Sequence, residues 1–199
     1  MKRLFTYLLA LMIIATFSSC NNKGGTSNDK EEKKDTLYND NIQDTFFDVP
    51  FGSSKKELIA KFKEHGFMVV EDISTDDFVH FASKKSSLFS FGNMSWEMLS
   101  VGFTNDKFDY IRIMNYGDDK ASAIENYETV LSTLSAKYHM TEEEPEDTTV
   151  YRLSIGYSKQ NRTVAVSCYR YETLGKNICI GVGLIYYDER FSNKVSDEL

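Results

Sequence analysis

The sequence predicts an α+β fold in which two helices pack on an antiparallel sheet, arranged as two α-β-β modules. Three observations support this fold class. Two stretches have the apolar spacing of amphipathic helices, most other segments alternate in polarity as strands do, and one strand pattern occurs twice. Short turns between the strands favour antiparallel neighbours, and helices with one apolar side cover one face of such a sheet.

The first predicted helix begins after Ser54. Ser54 and Glu57 have the spacing of a capping box, in which each side chain satisfies a backbone N–H group at the helix N-terminus. Leu58 and Phe62 lie four residues apart and share one apolar face, and Gly66 suits the position that follows a helix. These signals place the helix between residues 55 and 65.

The second predicted helix begins at Asp118 or Asp119 and ends near Tyr138. Its apolar residues recur at intervals of three and four and form a single stripe. They are Ala121, Ile124, Tyr127, Val130, Leu131, Leu134 and Tyr138.

The remaining segments of the domain predict strands because their polarity alternates and turn residues separate them. The predicted strands are 67–72, 78–83, 96–104, 108–116, 150–158, 163–171 and 177–187, with turns at 105–107, 159–162 and 173–176.

One strand pattern occurs twice. Residues 99–104 read Leu-Ser-Val-Gly-Phe-Thr and residues 153–158 read Leu-Ser-Ile-Gly-Tyr-Ser, with three identical positions. Each copy follows one amphipathic helix and leads into a turn, which predicts an internal duplication. The alternative is a coincidence between two alternating strands that both need Ser and Gly on one face.

The N-terminus has the pattern of a signal peptide. Lys2 and Arg3 precede the uncharged, mostly apolar residues 4–17, which are fewer than the roughly 20 apolar residues that span a bilayer. The following Phe17-Ser18-Ser19-Cys20 resembles the lipobox of bacterial lipoproteins. The resemblance implies cleavage before Cys20, acylation of Cys20, and a location in the cell envelope at the outer membrane, facing the periplasm.

The composition divides the chain into four parts. Residues 1–19 are predicted to form the lipoprotein signal peptide, and residues 20–45 a disordered tether, because few of them are apolar. Residues 46–190 are predicted to form one globular domain, and the polar residues 191–199 a flexible tail.

The charge of the chain argues against binding nucleic acid. It contains 23 Lys and Arg against 30 Asp and Glu, a formal net charge of −7, and no basic stripe. An acidic protein repels phosphate groups, so we expect neither nucleic acid nor an anionic bilayer surface as a partner of the domain. Membrane contact is expected through the lipid on Cys20 alone.

No catalytic, cofactor-binding or metal-binding motif occurs in the sequence, so we predict no catalytic residue, no cofactor and no metal. His65, His80 and His139 are far apart, and the first and last suit helix ends. Cys168 and Cys179 lie in consecutive predicted strands. The two cysteine side chains point to the same face of the sheet if the residue numbers of each cross-strand pair add up to 347 or 349. A disulfide and two free thiols therefore remain as alternatives.

Residues 87–96 are the segment most suggestive of binding. Phe89, Phe91 and Trp96 crowd around Gly92-Asn93, and aromatic residues on loops make good interface anchors. The alternative is that these aromatic side chains fill the core beneath the first helix.

The two-module plan and the sequence Gly52-Ser53-Ser54-Lys55-Lys56-Glu57 resemble small α+β envelope lipoproteins of the BamE/SmpA type and the β-lactamase-inhibitor-protein fold. The resemblance implies an interaction module that binds another envelope protein. We therefore predict a membrane-tethered envelope lipoprotein that acts as a non-catalytic protein-binding or assembly module. The alternatives are a small-ligand carrier and an envelope hydrolase whose site is not visible in the sequence.

Overall fold

The computed structural model describes residues 38–117, 119–172 and 178–192, which belong to one compact unit, 35–199. The predicted signal peptide, Cys20, residues 21–37 of the predicted tether, and the last seven residues of the predicted tail lie outside the described residues.

Strands make up most of the regular structure. They are β1 (Tyr38–Asn39), β2 (Thr45–Phe46), β3 (Val49–Pro50), β4 (Phe67–Val69), β5 (Phe78–Ser83), β6 (Phe89–Phe91), β7 (Met94–Trp96), β8 (Met98–Thr104), β9 (Lys107–Gly117), β10 (Thr141–Glu143), β11 (Val150–Ser158), β12 (Arg162–Glu172) and β13 (Ile178–Asp188). The helices are α1 (Lys55–Glu64), α2 (Lys120–Ser135) and α3 (Glu189–Ser192), with a 3₁₀ turn at Glu71–Ile73.

Nine of these strands form one mixed sheet. Its order is β1-β11-β12-β13-β9-β8-β5-β4, and β10 also pairs with β11. The β1–β11 pair is parallel, and the other pairs of the sheet are antiparallel. The remaining strands form two small ribbons, β2–β3 and β6–β7.

The predicted α+β fold of two helices on an antiparallel sheet is wrong. Strands account for 50% and helices for 22% of the structure, the large sheet is mixed, and there are three helices among the described residues. The prediction missed β1 and β10, which lie along the same edge of β11. Both are short polar segments that pair through their backbones, so no hydrophobic alternation marks them in the sequence.

The predicted duplication into two α-β-β modules is also wrong. The similar segments 99–104 and 153–158 occupy β8 and β11, but they present opposite faces to the helices. Leu99 of the first copy is fully buried in the core, whereas in the second copy Ser154 faces the helices, with its Oγ 2.8 Å from the Tyr127 hydroxyl of α2. A one-residue shift turns every side chain of a strand to the other face, so the two segments are not structurally equivalent.

Ordered structure begins before Phe46, the first residue of the predicted globular domain. Tyr38 and Asn39 pair with β11, and Ile42 is only 1% exposed within the core. Backbone pairing and the buried side chain of Ile42 thus attach this segment to the domain, although its composition is polar.

Both predicted helix starts are confirmed. The Ser54 side chain accepts a hydrogen bond from the Glu57 backbone N–H, and the Asp119 carboxylate accepts hydrogen bonds from the N–H groups of Ala121 and Ser122. The helix that begins after Ser54 ends before Gly66, whose φ of +86° suits glycine.

The core lies between the helices and one face of the sheet. It includes Leu58 and Phe62 from α1 and Tyr127 and Leu134 from α2. Their partners in the sheet include Leu99 and Val101 of β8, Ile111 and Ile113 of β9, Val164 and Val166 of β12, and Leu184 and Tyr186 of β13. Since side chains alternate along a strand, the residues between these core positions form the opposite face of the sheet.

Candidate functional site

The sheet face opposite the helices is rich in tyrosine. It receives the residues that alternate with the core positions in β9, β12 and β13. We call the following set the tyrosine face: Tyr110, Arg112 and Tyr116 from β9, Tyr169 and Tyr171 from β12, and Tyr187 from β13. Tyr169 is 8% exposed, and the other five residues are half-buried.

Aromatic contacts connect the residues of this face across strands. The Tyr116 and Tyr171 rings are 4.9 Å apart between centroids, and the Tyr169 and Tyr171 rings are 5.8 Å apart. Tyr110 contacts Tyr187 on one side at 6.5 Å and Phe78 of β5 on the other at 6.1 Å. The aromatic surface therefore extends from β5 to β12.

Arg112 lies among these rings. Its guanidinium carbon is 4.2 Å from the centroid of the Tyr169 ring, which is a cation–π geometry. Arg112 Nε and the Tyr169 hydroxyl are buried and make no well-aligned hydrogen bond with the described residues, but the Tyr110 and Tyr169 hydroxyls lie close enough to the guanidinium to interact with its charge. The tyrosine face thus combines a flat aromatic surface with one guanidinium group that can still donate hydrogen bonds.

Burial raises the pKa of the tyrosines around Arg112. For Tyr110, Tyr116, Tyr169 and Tyr171, removal from water is the main cause, because it disfavours the phenolate. These hydroxyls therefore stay neutral at physiological pH, and no tyrosinate among them offsets the charge of Arg112.

His80 and Ser100 form a polar pair beside the tyrosine face. The Ser100 Oγ lies 2.6 Å from His80 Nδ1, and Ser100 pairs in register with Arg112. Burial lowers the pKa of His80 and favours the neutral ring, and the tautomer of that ring decides which of the two groups donates the hydrogen bond. Ser100 is only 5% exposed, and no described carboxylate binds the ring, so the pair lacks the access and the orienting acid of a catalytic triad.

Of the two alternatives for Cys168 and Cys179, the structure has the free thiols. In the β12–β13 register Cys168 pairs with Val182 and Cys179 pairs with Tyr171, so paired residue numbers sum to 350. This sum places the two cysteines on opposite faces of the sheet, and a disulfide between them is excluded by geometry.

Phe89, Phe91 and Trp96, the residues predicted to bind a partner, lie together on the β6–β7 ribbon. Trp96 is 1% exposed, and its Nε1–H donates to the Phe91 carbonyl oxygen at 2.9 Å. Phe89 and Phe91 are half-buried and pack against the core. Trp96 is therefore a core residue, and only the two phenylalanines of this set retain surface that a partner could contact.

An apolar cleft of about 220 Å³ lies between this ribbon, α2 and β13. Its lining includes Phe91, Met94 and Trp96 on one side and Val130, Leu134 and Tyr186 on the other. Gln43, Thr133 and Lys137 also line it and supply the polar groups.

A buried charge cluster lies where β12 begins and β13 ends. Asp188 is fully buried and accepts hydrogen bonds from Arg162 Nε at 3.2 Å and Arg190 Nε at 2.8 Å. Arg162 also reaches Asp44 at 2.8 Å, which connects the N-terminal segment to the sheet. Nearby, burial raises the pKa of Asp109 to about 6.

Among residues 38–117, 119–172 and 178–192, no group of three or more His, Cys, Asp and Glu side chains is placed to hold a metal ion. None of the described helices has both the length and the apolar character needed to cross a membrane.

Comparison of the chain with protein-family models, with curated proteins and with solved structures gives no match. Function is therefore inferred from the geometry of this chain.

Sequence reasoning did not find the tyrosine face. The available signal was the alternation of Tyr169 and Tyr171 in one strand and of Gly181 and Gly183 in the next, where Tyr169 pairs with Gly181. Because both strands read as ordinary half-buried strands, only the register shows that these residues lie around Arg112.

Proposed function

We propose that this protein is a membrane-tethered envelope lipoprotein whose folded domain binds another envelope protein without catalysing a reaction. The tether is inferred from the lipobox resemblance at Cys20. The binding role is carried by one observation, the tyrosine face on the side of the sheet opposite the helices.

The composition of the tyrosine face supports a protein partner. Tyr and Arg are enriched among the residues that dominate binding energy at protein interfaces, because they offer large, rigid contact area with polar tips. At the centre of such interfaces charged residues are depleted, and here the set contains five tyrosines and one arginine. The β-sheet holds these side chains in fixed positions, so little order has to be gained on binding.

The first experiment is cross-linking capture from intact cells with the full-length, lipidated chain carrying a C-terminal tag. The test variant is Tyr110→Ser/Tyr171→Ser, which removes two rings from the tyrosine face. The matched control is Tyr38→Ser, a 45% exposed tyrosine on β1, four strands away from β9.

We expect one stoichiometric envelope partner with the wild type and with Tyr38→Ser, and about tenfold weaker capture with the double variant. Circular dichroism and urea unfolding of the variants check that folding is kept. Equal capture by all three chains, or capture by none, would contradict the proposed binding role.

The anchor has a separate test. Labelled fatty acid should be incorporated into the wild-type protein and not into Cys20→Ala. Label that persists in Cys20→Ala shows that the lipid is attached elsewhere or that the signal peptide is not of the lipoprotein type.

The apolar cleft beside the β6–β7 ribbon favours a second candidate, a carrier of a small apolar ligand. Most ligand pockets are apolar clefts with a few polar groups, although they commonly enclose about 300 Å³ or more. Native mass spectrometry of the protein purified without denaturation tests this candidate. A co-purified small molecule that is lost in Leu134→Trp, which fills the cleft, supports the carrier role.

A further inference from the structure

The tyrosine face contains a strip without side chains. Gly181 and Gly183 occupy alternate positions of β13, in the middle of the sheet, where glycine weakens a strand. A methyl group on Gly183 would lie 3.0 Å from Arg112 Nε and 3.2 Å from Tyr169 Cε1. The glycine therefore leaves the space in which the Arg112 guanidinium stacks on Tyr169.

The second glycine has a related effect. A methyl group on Gly181 would lie 2.8 Å from the Asn115 backbone oxygen and 3.4 Å from the Tyr116 ring. The two glycines together let residues of β9 and β12 approach each other across β13. Residues of three adjacent strands, β9, β13 and β12, thus form the surroundings of the Arg112 side chain.

Arg112 differs from three other arginines of the fold. Arg152, Arg162 and Arg190 each have a guanidinium nitrogen within 3.3 Å of a carboxylate oxygen. No carboxylate oxygen of the described residues lies within 4.0 Å of the Arg112 guanidinium. The half-buried Arg112 guanidinium has lost part of its water and has tyrosine rings and hydroxyls, but no carboxylate, as described neighbours, so the arrangement favours an anion from outside.

The geometry points to a carboxylate rather than a phosphate. A guanidinium presents paired N–H donors that match the two oxygens of a carboxylate. Phosphate carries more charge and is usually held by several cations. On this face Arg112 is the one Lys or Arg that four described strand segments contribute. The segments are 98–102 of β8, 110–116 of β9, 163–171 of β12 and 179–187 of β13.

We propose that Arg112 receives a carboxylate of the protein partner, an Asp or Glu side chain or a C-terminus, at the part of its half-buried guanidinium that does not face the buried Gly183. This inference depends on the proposed function, since it names the chemistry by which the same face recognises its partner. The surrounding tyrosines exclude water from the ion pair and pack against the partner on either side.

The anion site can be tested without the partner. The Arg112 Nε–H resonance of the ¹⁵N-labelled full-length chain in detergent is followed during addition of sodium acetate, with sodium chloride at equal ionic strength as the control. Arg112→Lys assigns the resonance. We expect a saturable shift with acetate, none with chloride, and weaker saturation with inorganic phosphate.

Two outcomes of this titration overturn the inference. Equal shifts with acetate and chloride show that Arg112 does not bind carboxylate. Saturation by phosphate at lower concentration than acetate shows a phosphate site, such as one for a lipid headgroup.

The partner itself gives the second test. Arg112→Met should weaken the tyrosine-face-dependent capture by about tenfold and Arg112→Lys by less, while Arg170→Met, at an exposed position of β12, leaves it unchanged. If Tyr110→Ser/Tyr171→Ser abolishes capture and Arg112→Met does not, the face binds a protein but the carboxylate inference is wrong. If acetate binds but no face-dependent partner is found, the proposed protein-binding function fails and the anion comes from another source.

Discussion

Arg162 is buried and Arg112 is half-buried, and the two arginines have opposite surroundings. Arg162 contacts Asp44 and Asp188, so its charge is neutralised inside the fold and its role is structural. Arg112 contacts the Tyr169 ring and has no acidic partner among the described residues. Neither environment is visible in the sequence, because the partners are contributed by strands that are distant along the chain.

Asp109 predicts a specific dependence of stability on pH. It is 3% exposed, and burial raises its pKa from 3.8 to about 6, against the opposing effect of a hydrogen bond with Thr104. The folded protein therefore holds this proton more tightly than the unfolded chain does. The resulting stabilisation is present below about pH 4 and is lost as the pH rises through about 6, at a cost of about 3 kcal/mol in the free energy of unfolding.

Asp109→Asn should abolish this contribution. Urea unfolding should give similar stabilities for wild type and variant near pH 4, and a variant that is about 2–3 kcal/mol more stable near pH 7. Asp106→Asn, in the exposed turn between β8 and β9, removes the same charge and serves as the control. A difference in the free energy of unfolding between Asp109→Asn and wild type that does not change with pH would contradict the prediction.

At the scale of elements, the sequence predicts what is locally encoded. The caps at Ser54 and Asp119 and the strands 78–83 and 150–158 are found where predicted, because capping side chains and alternating polarity act within a few residues. The β6–β7 ribbon was predicted only as an aromatic loop. Its Gly92-Asn93 turn, with φ of +59° and +64°, is the local signal that identifies a hairpin.

Gly92→Ala tests whether this turn holds the β6–β7 ribbon in place. A methyl group at Gly92 meets nothing within 4 Å, so the change acts only through the backbone conformation. We expect a loss of about 1 kcal/mol in the free energy of unfolding, because a left-handed conformation is unfavourable for alanine. Asn93→Gly is the control and should leave stability within a few tenths of a kcal/mol. Equal destabilisation by both changes would mean that side-chain contacts, not the backbone, govern the turn.

At the scale of the whole molecule, the pairing register of the strands determines which side chains share a face, and this register could not be predicted from the sequence. The segments 99–104 and 153–158 are similar in sequence, but corresponding side chains point to opposite faces of the sheet. The pairing of β8 with β9 places the first residue of one segment on the core face, whereas the pairing of β11 with β12 places the first residue of the other segment on the opposite face. The tyrosine face arises in the same way, from the alignment of β9, β12 and β13. Alternation shows that a strand has two faces, but only the packing of helices on the sheet shows which face is buried.

The N-terminal segment provides the last prediction, which concerns where the domain begins. The Asn39 side chain accepts from the His139 N–H at 2.6 Å and donates to the Tyr157 carbonyl at 3.1 Å. Ile42 is 1% exposed, and Asp44 pairs with Arg162 at 2.8 Å. These contacts attach residues 39–44 to the edge of the sheet, so the folded domain is expected to include them.

A chain that starts at Phe46 should therefore be less stable than one that starts at Asp35, the boundary of the compact unit, by at least about 4 kcal/mol. Ile42→Ala isolates the largest contribution and should cost about 3 kcal/mol in urea unfolding, because it leaves a cavity in the core. Thr45→Ala, at an exposed position of the same segment, should change stability by less than about 0.5 kcal/mol. Equal stability of the two truncated chains would show that residues 38–45 lie on the domain without supporting it, and the domain boundary would then return to Phe46.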